Sequence, residues 1–156
     1  MEEAEQLLVF TLDEQRYALH LSAVERVVRV IEITPLPKAP EIVLGVINIH
    51  GRIIPVVDTR KRFRLRECEI GLSDQLIIAN TDTRPVALIV DSVTGVTEQS
   101  KDRIVQAEKI LPGMEYVEGV LKLDDGMVLI HDLDGFLSLK EEKALERAMR
   151  RTIRRD

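Results

Sequence analysis

GVINIHGRIIPVVDTR, residues 45 to 60, sets two aliphatic runs around a polar tip, His50-Gly51-Arg52. Neither run alternates with polar residues, so both read as strands buried on two faces rather than strands with one wet side. A short polar break carrying a glycine between two such runs is a β-hairpin signal. Pro55 has no amide to donate, which predicts a sheet edge or a bulge at that point of the second strand. The stretch decides for a β fold.

The same pattern occurs twice in the chain. LLVFTLDEQRYALHLSAVERV (7–27), laid without gaps over LIIANTDTRPVALIVDSVTGV (76–96), matches Leu7, Asp13, Ala18, Leu19, Val24 and Val27 to Leu76, Asp82, Ala87, Leu88, Val93 and Val96. EIVLGVINIHGRIIPVVDTRKRF (41–63), over EYVEGVLKLDDGMVLIHDLDGFL (115–137), matches Glu41, Val43, Gly45, Val46 and Asp58 to Glu115, Val117, Gly119, Val120 and Asp132. Two segments in one order, offset by 69 and 74 residues, indicate an internal duplication. Each half reads strand, polar turn, strand, loop, Gly-Val strand, turn, final strand. Asp13-Glu14-Gln15, Asp82-Thr83-Arg84 and Asp124-Asp125-Gly126 supply turn chemistry. Short strands at this spacing predict an all-β domain over residues 1–138, with barrel-like halves at about 7–63 and 76–137. Barrels this small are marginal alone and are expected to pack on each other. Whether each first hairpin completes its own barrel or its neighbour's stays open.

Residues 139–156 change period. Ser138 and Glu141 have capping-box spacing, glutamates lead, and Arg150, Arg151, Arg154 and Arg155 trail, the order that a helix dipole favours. Ala144, Leu145, Ala148, Met149, Thr152 and Ile153 form one apolar stripe. The segment is expected to be an amphipathic helix, packed on the barrels or reaching a partner.

Charge narrows the function. The net charge is −5, and residues 139–156 hold seven bases and four acids (+3), leaving 15 bases against 23 acids (−8) in residues 1–138. An acidic body with five aromatics offers nucleic acid little, the one basic run being RKRFRLR at 60–66. The aliphatic runs are too short to span a membrane, and the acidic start MEEAEQLLVF is no secretion signal, so a cytoplasmic protein is expected. The single cysteine, Cys68, reads as an incidental thiol in a charged segment. His20, His50 and His131 lie in no metal-ligand spacing, and no phosphate loop, dinucleotide turn or nucleophile elbow is present. The chain therefore reads as a binding module, with no catalytic residue, metal or cofactor expected.

PEIVLGVINIHGRIIPVVDTRKRF (40–63), with LVFTLDEQRYAL (8–19) before it and PVALIVDSVTGV (85–96) after it, resembles the CheW family over roughly residues 7–137. The resemblance implies two SH3-like five-stranded barrels around a shared core, and a non-catalytic adaptor. Its implied partners are the regulatory domain of a CheA-type histidine kinase and the cytoplasmic tip of a methyl-accepting chemoreceptor. Such an adaptor sits peripherally at membrane receptor arrays without inserting. Val24, Gly45, Asn48 and Gly51 match positions that line or shape the receptor side, while Pro55, Asp58 and Arg60 match positions that look architectural, Asp58 as the cap of the turn after it. Arg26 and His50 stand where the family commonly has Glu and Arg, so that charge pair is not expected to form. With Arg52 completing the tip, Val24, Arg26, Gly45, Asn48, His50, Gly51 and Arg52 are the candidate receptor- or kinase-binding set, and altered receptor specificity is expected. An alternative is a regulatory module that binds another effector, such as a methyltransferase, through the C-terminal helix.

Overall fold

The structure, a computed structural model, describes residues 4–66, 69–106 and 116–153, so Cys68, Arg154 and Arg155 lie outside the described residues, as do the side chains of Thr152 and Ile153. In the first half, β1 (Ala4–Leu12) and β2 (Gln15–His20) form a hairpin, β3 (Val24–Arg29) follows, and β4 (Val43–Ile49) and β5 (Arg52–Val57) form a second hairpin ending in the one-turn helix α1 (Thr59–Arg62). The second half runs β6 (Gln75–Asn80), β7 (Pro85–Val90), β8 (Ser92–Ser100), β9 (Ile104–Gln106), β10 (Val117–Leu123) and β11 (Gly126–His131), followed by α2 (Leu139–Ile153).

The halves are interlaced. One sheet has the order β8-β1-β2-β11-β10-β9 and the other β3-β6-β7-β5-β4, so the first hairpin of each half sits in the sheet built by the other half. The joints are the two parallel pairings, β11 with β2 (Ile130 opposite Ala18) and β5 with β7 (Val56 opposite Ala87). The units 7–63 and 76–137 are thus repeats of sequence, while each barrel takes strands from both.

Both sheets close. β8 and β9 lie at opposite edges of the first sheet, yet only the 3₁₀ turn Lys101–Arg103 separates them in the chain, so the sheet has to curl until its edges meet. In the second sheet, the chain leaves β3 at one edge and pairs Thr34 with Val46 of β4 at the other, through N–H···O bonds of 2.8 Å in both directions. The duplicated glycines stand at these seams. Register shifts fall between Val43 and Gly45 and between Val117 and Gly119, the same place in each half. A Cβ on Gly45 would lie 2.8 Å from the Thr34 carbonyl carbon, and one on Gly119 would lie 3.0 Å from the Val105 oxygen. Each glycine lets the closing segment cross at backbone distance.

Three apolar clusters explain why the strands do not alternate. Leu7, Val9, Leu121, Val128 and Ile130 fill the first barrel, and Ile47, Ile54, Val56, Leu76 and Ile78 fill the second. The intervening residues, among them Phe10, Leu19, Val46, Val57, Ile77 and Leu88, turn the other way into a cluster shared by both barrels. Successive residues of a strand point to opposite faces, and here both faces are dry.

Pro55 departs from expectation. It is buried in β5, an interior strand between β7 and β4, and the register shift of that hairpin lies at Val43/Gly45 rather than opposite Pro55. The parallel pairing with β7 begins only at Val56, so no partner calls on the missing amide. Asp58 caps α1, its carboxylate accepting from the Lys61 amide at 3.1 Å, and its repeat mate Asp132 accepts from the Gly135 amide at 3.2 Å.

The C-terminal helix is part of the fold. The capping box is formed, with Glu141 N–H donating to Ser138 Oγ (3.1 Å) and Ser138 N–H donating to the Glu141 carboxylate (2.8 Å). Leu145 and Ala148 are buried in the shared cluster. Glu141 also receives Arg62 of α1 at 2.7 Å, and the Arg62 guanidinium lies 4.7 Å from the centre of the Tyr116 ring.

Candidate functional site

The hairpin tip owes its shape to two left-handed residues. His50 (φ +51°) and Gly51 (φ +84°) form the two-residue loop between the closing pair Ile49 and Arg52. Positive φ at both loop positions matches the right-handed twist of the flanking strands, and histidine tolerates that region better than most residues. Asn48 fixes the loop from one side, its Oδ1 accepting from the Gly51 amide at 2.9 Å. His50, Asn48 and Gly51 face solvent, with Asn48 opposite the exposed Ile53 on the same pair.

The tip is tied to β3 by a pair that the sequence reading missed. Arg52 Nη1 donates to both carboxylate oxygens of Glu25, at 2.8 and 3.0 Å. Glu25 occupies the register shift between Val24 and Arg26, and that bulge turns a side chain toward the hairpin which regular pleating would have aimed elsewhere. A different glutamate–arginine pair, Glu25–Arg52, thus stands next to the positions of Arg26 and His50. Arg26 is left exposed beside it, opposite Ile78, and Val24 is half-buried against the shared core. Gly45 is buried at the seam, which accounts for it through backbone approach.

Arg60 lies elsewhere. It bridges Asp13 in the β1–β2 turn and Asp91 after β7, with contacts of 2.6 Å to each, and so pins strands of both barrels to α1. The basic run 60–66 is dispersed by such pairing, since Arg62 is engaged by Glu141 and Tyr116 and Lys61 lies 3.9 Å from Glu41. It presents no stripe for a phosphate backbone.

His131 is buried between Phe63 and Phe136, at ring distances of 4.8 and 4.2 Å, and both ring nitrogens are unpartnered among the described residues. Burial, reinforced by Arg62, pushes its pKa down to about 3, so it packs as a neutral ring. Among the described residues no group of three or more His, Cys, Asp or Glu side chains could hold a metal ion, and no helix is long and apolar enough to cross a membrane.

His20 is different. Its Nδ1 lies 3.2 Å from Glu5 on β1 and its Nε2 lies 2.9 Å from Glu118 on β10, while Lys101 also reaches Glu5. Burial opposes the imidazolium, but the hydrogen bonds and charges of Glu118 and Glu5 outweigh it and leave the pKa above its ordinary value. A raised folded-state pKa contributes stability that is fully present below the unfolded value, about 6.5, and is lost as pH rises through the folded value. The chain is thus expected to lose thermal stability as pH rises above about 6.5. His20→Gln should flatten that slope, which a buffered melting series of both proteins measures; equal slopes would refute it.

The matching comparisons fit this geometry. The family model described as CheW-like domain covers residues 6–141. The chemotaxis protein CheW of Thermotoga maritima is 34% identical over 83% of this chain and 85% of that protein. The chemotaxis protein CheW of Treponema pallidum is 29% identical over 90% of this chain and 86% of that protein. The crystal structure of the scaffolding protein TtCheW from Thermoanaerobacter tengcongensis superposes with a TM-score of 0.81 at 32% identity, over 90% of this chain and 96% of that one. Two barrels built from an interlaced duplication, a fixed hairpin tip and a family match over nearly the whole β domain agree: the chain belongs to the CheW-like domain family, whose matched members are named chemotaxis and scaffolding proteins.

Proposed function

We propose that this chain couples a chemoreceptor to a CheA-type histidine kinase, working in the cytoplasm at the receptor array, and that its hairpin tip reads the receptor with changed specificity. The observation that carries the second part is the tip itself. Arg52–Glu25 and Asn48–Gly51 hold it rigid, so the exposed Arg26, His50 and Ile53 are presented in one geometry, and preorganised contacts lose little entropy on binding. A receptor helix lying across this edge meets a cation where the family commonly offers an acid, and an imidazole where it offers a guanidinium.

Calorimetry of the full chain against the regulatory domain of a CheA-type kinase from the same genome tests the coupling. Micromolar or tighter binding is expected. Against receptor-tip fragments, the double variant Arg26→Glu/His50→Arg is expected to change affinity about tenfold while kinase binding holds. Unchanged affinity for every receptor fragment would remove the specificity reading and leave the coupling.

A further inference from the structure

We propose that the outer flank of α2, together with Lys38, is a docking groove for an acidic helical segment of a partner protein. Lys38, Arg147 and Arg151 surround a small cavity of about 190 Å³ whose floor is Ala144 and Ala148. The three cations come from two parts of the chain, the loop before β4 and the last turns of α2.

Three features point to an acidic occupant. First, the carboxylates of α2 are already engaged: Glu141 holds Arg62 (2.7 Å), Glu142 holds Arg84 (3.3 Å) and Glu146 holds Arg150 (2.8 Å). Arg147 and Arg151 have no ion pair among the described residues, and neither has Lys38. Second, the flank is held in place. The adjoining face of the helix carries Leu145 and Ala148 in the shared core, and the pairs to Arg62 of α1 and Arg84 of the β6–β7 turn fix the helix against the second barrel. Third, Arg147 and Arg151 are one helical turn apart, about 6 Å along the axis. Their match is a helix with carboxylates at i and i+4 and small residues beside them, which lets the alanine floor approach closely.

Other polyanions fit less well. A helix that lies on a lipid surface needs bulky apolar side chains beside its cations, and the flank offers alanines. Nucleic acid needs a run of cations that tracks its phosphates, and this groove has three around a small cavity. The helix C-terminus itself favours cations, which explains how the two arginines stand without a carboxylate partner among the described residues, Arg147 donating only to the Lys143 carbonyl at 3.4 Å.

The test is a titration of the isotopically labelled full chain, followed by amide chemical shifts. The probe is a synthetic alanine-rich helical peptide with glutamates at i, i+4 spacing, at low and moderate salt. The expected result is saturable shifts at Lys38 and along 144–151, weakened by salt. Arg147→Glu/Arg151→Glu should weaken binding about tenfold or more and admit the lysine version of the peptide, with the melting temperature kept. Unmoved signals on α2 would overturn the proposal, as would equal binding by the double variant. So would binding to phosphatidylglycerol vesicles or polyuridine in place of the peptide.

Discussion

Replacing Gly45 with alanine is expected to destabilise the fold by about 3 kcal/mol or more, enough to lower Tm by roughly 10 °C in a domain of this size. The added methyl would lie 2.8 Å from the Thr34 carbonyl carbon and 2.9 Å from Ile33 Cγ2, and closer still to the Thr34 oxygen. The carbonyl cannot retreat, because it accepts the Val46 amide at 2.8 Å in the bridge that closes the second barrel. Either the bridge opens or the bulge relaxes, and both expose the seam. Gly119→Ala is expected to cost less, since its nearest contact, at 2.9 Å, is the Ile104 side-chain methyl, which can yield. Gly71→Ala, whose new methyl meets nothing nearer than Ser73 Oγ at 4.0 Å, is the neutral control. Denaturant unfolding of the three variants checks the order; equal losses at Gly45 and Gly71 would mean that the seam carries no special strain.

Truncating Leu145 is the second large effect. The side chain is completely buried in the cluster shared by the barrels, so Leu145→Ala is expected to cost about 2–5 kcal/mol. Leu139, on the same helix and 73% exposed, should tolerate alanine within about 0.5 kcal/mol. If the two variants unfold at the same denaturant concentration, α2 is an appendage and not part of the core. The difference also governs how the helix is probed: deleting residues 139–156 would strip Leu145 and Ala148 from the core, so substitutions on its outer flank are the informative ones.

These effects separate what was legible in the sequence from what was not. The duplication was legible, because paired glycines, capping aspartates and aliphatic runs recur at constant offsets. So was the capping box, which depends on residues three apart. The interlacing was not, since an ungapped repeat specifies which segments are equivalent and not which of two equivalent barrels a hairpin joins. Pro55 was misplaced because its tolerance depends on where β7 stops pairing, a long-range fact. Glu25 was missed because its direction follows from a bulge, and period-two reading assigns every side chain as though strands were regular. His131 sits beside Asp132 in sequence, but only the packed structure places it between two aromatic rings.

The adaptor reading rests on the chain joining two other proteins, so the most direct measurement is a three-component one. A receptor cytoplasmic-tip fragment and the CheA-type regulatory domain from the same genome are run through size exclusion with and without this chain. The two are expected to co-elute only when the chain is present, with all three in one peak. Co-elution that is the same in its absence, or separate peaks in its presence, would contradict the adaptor reading.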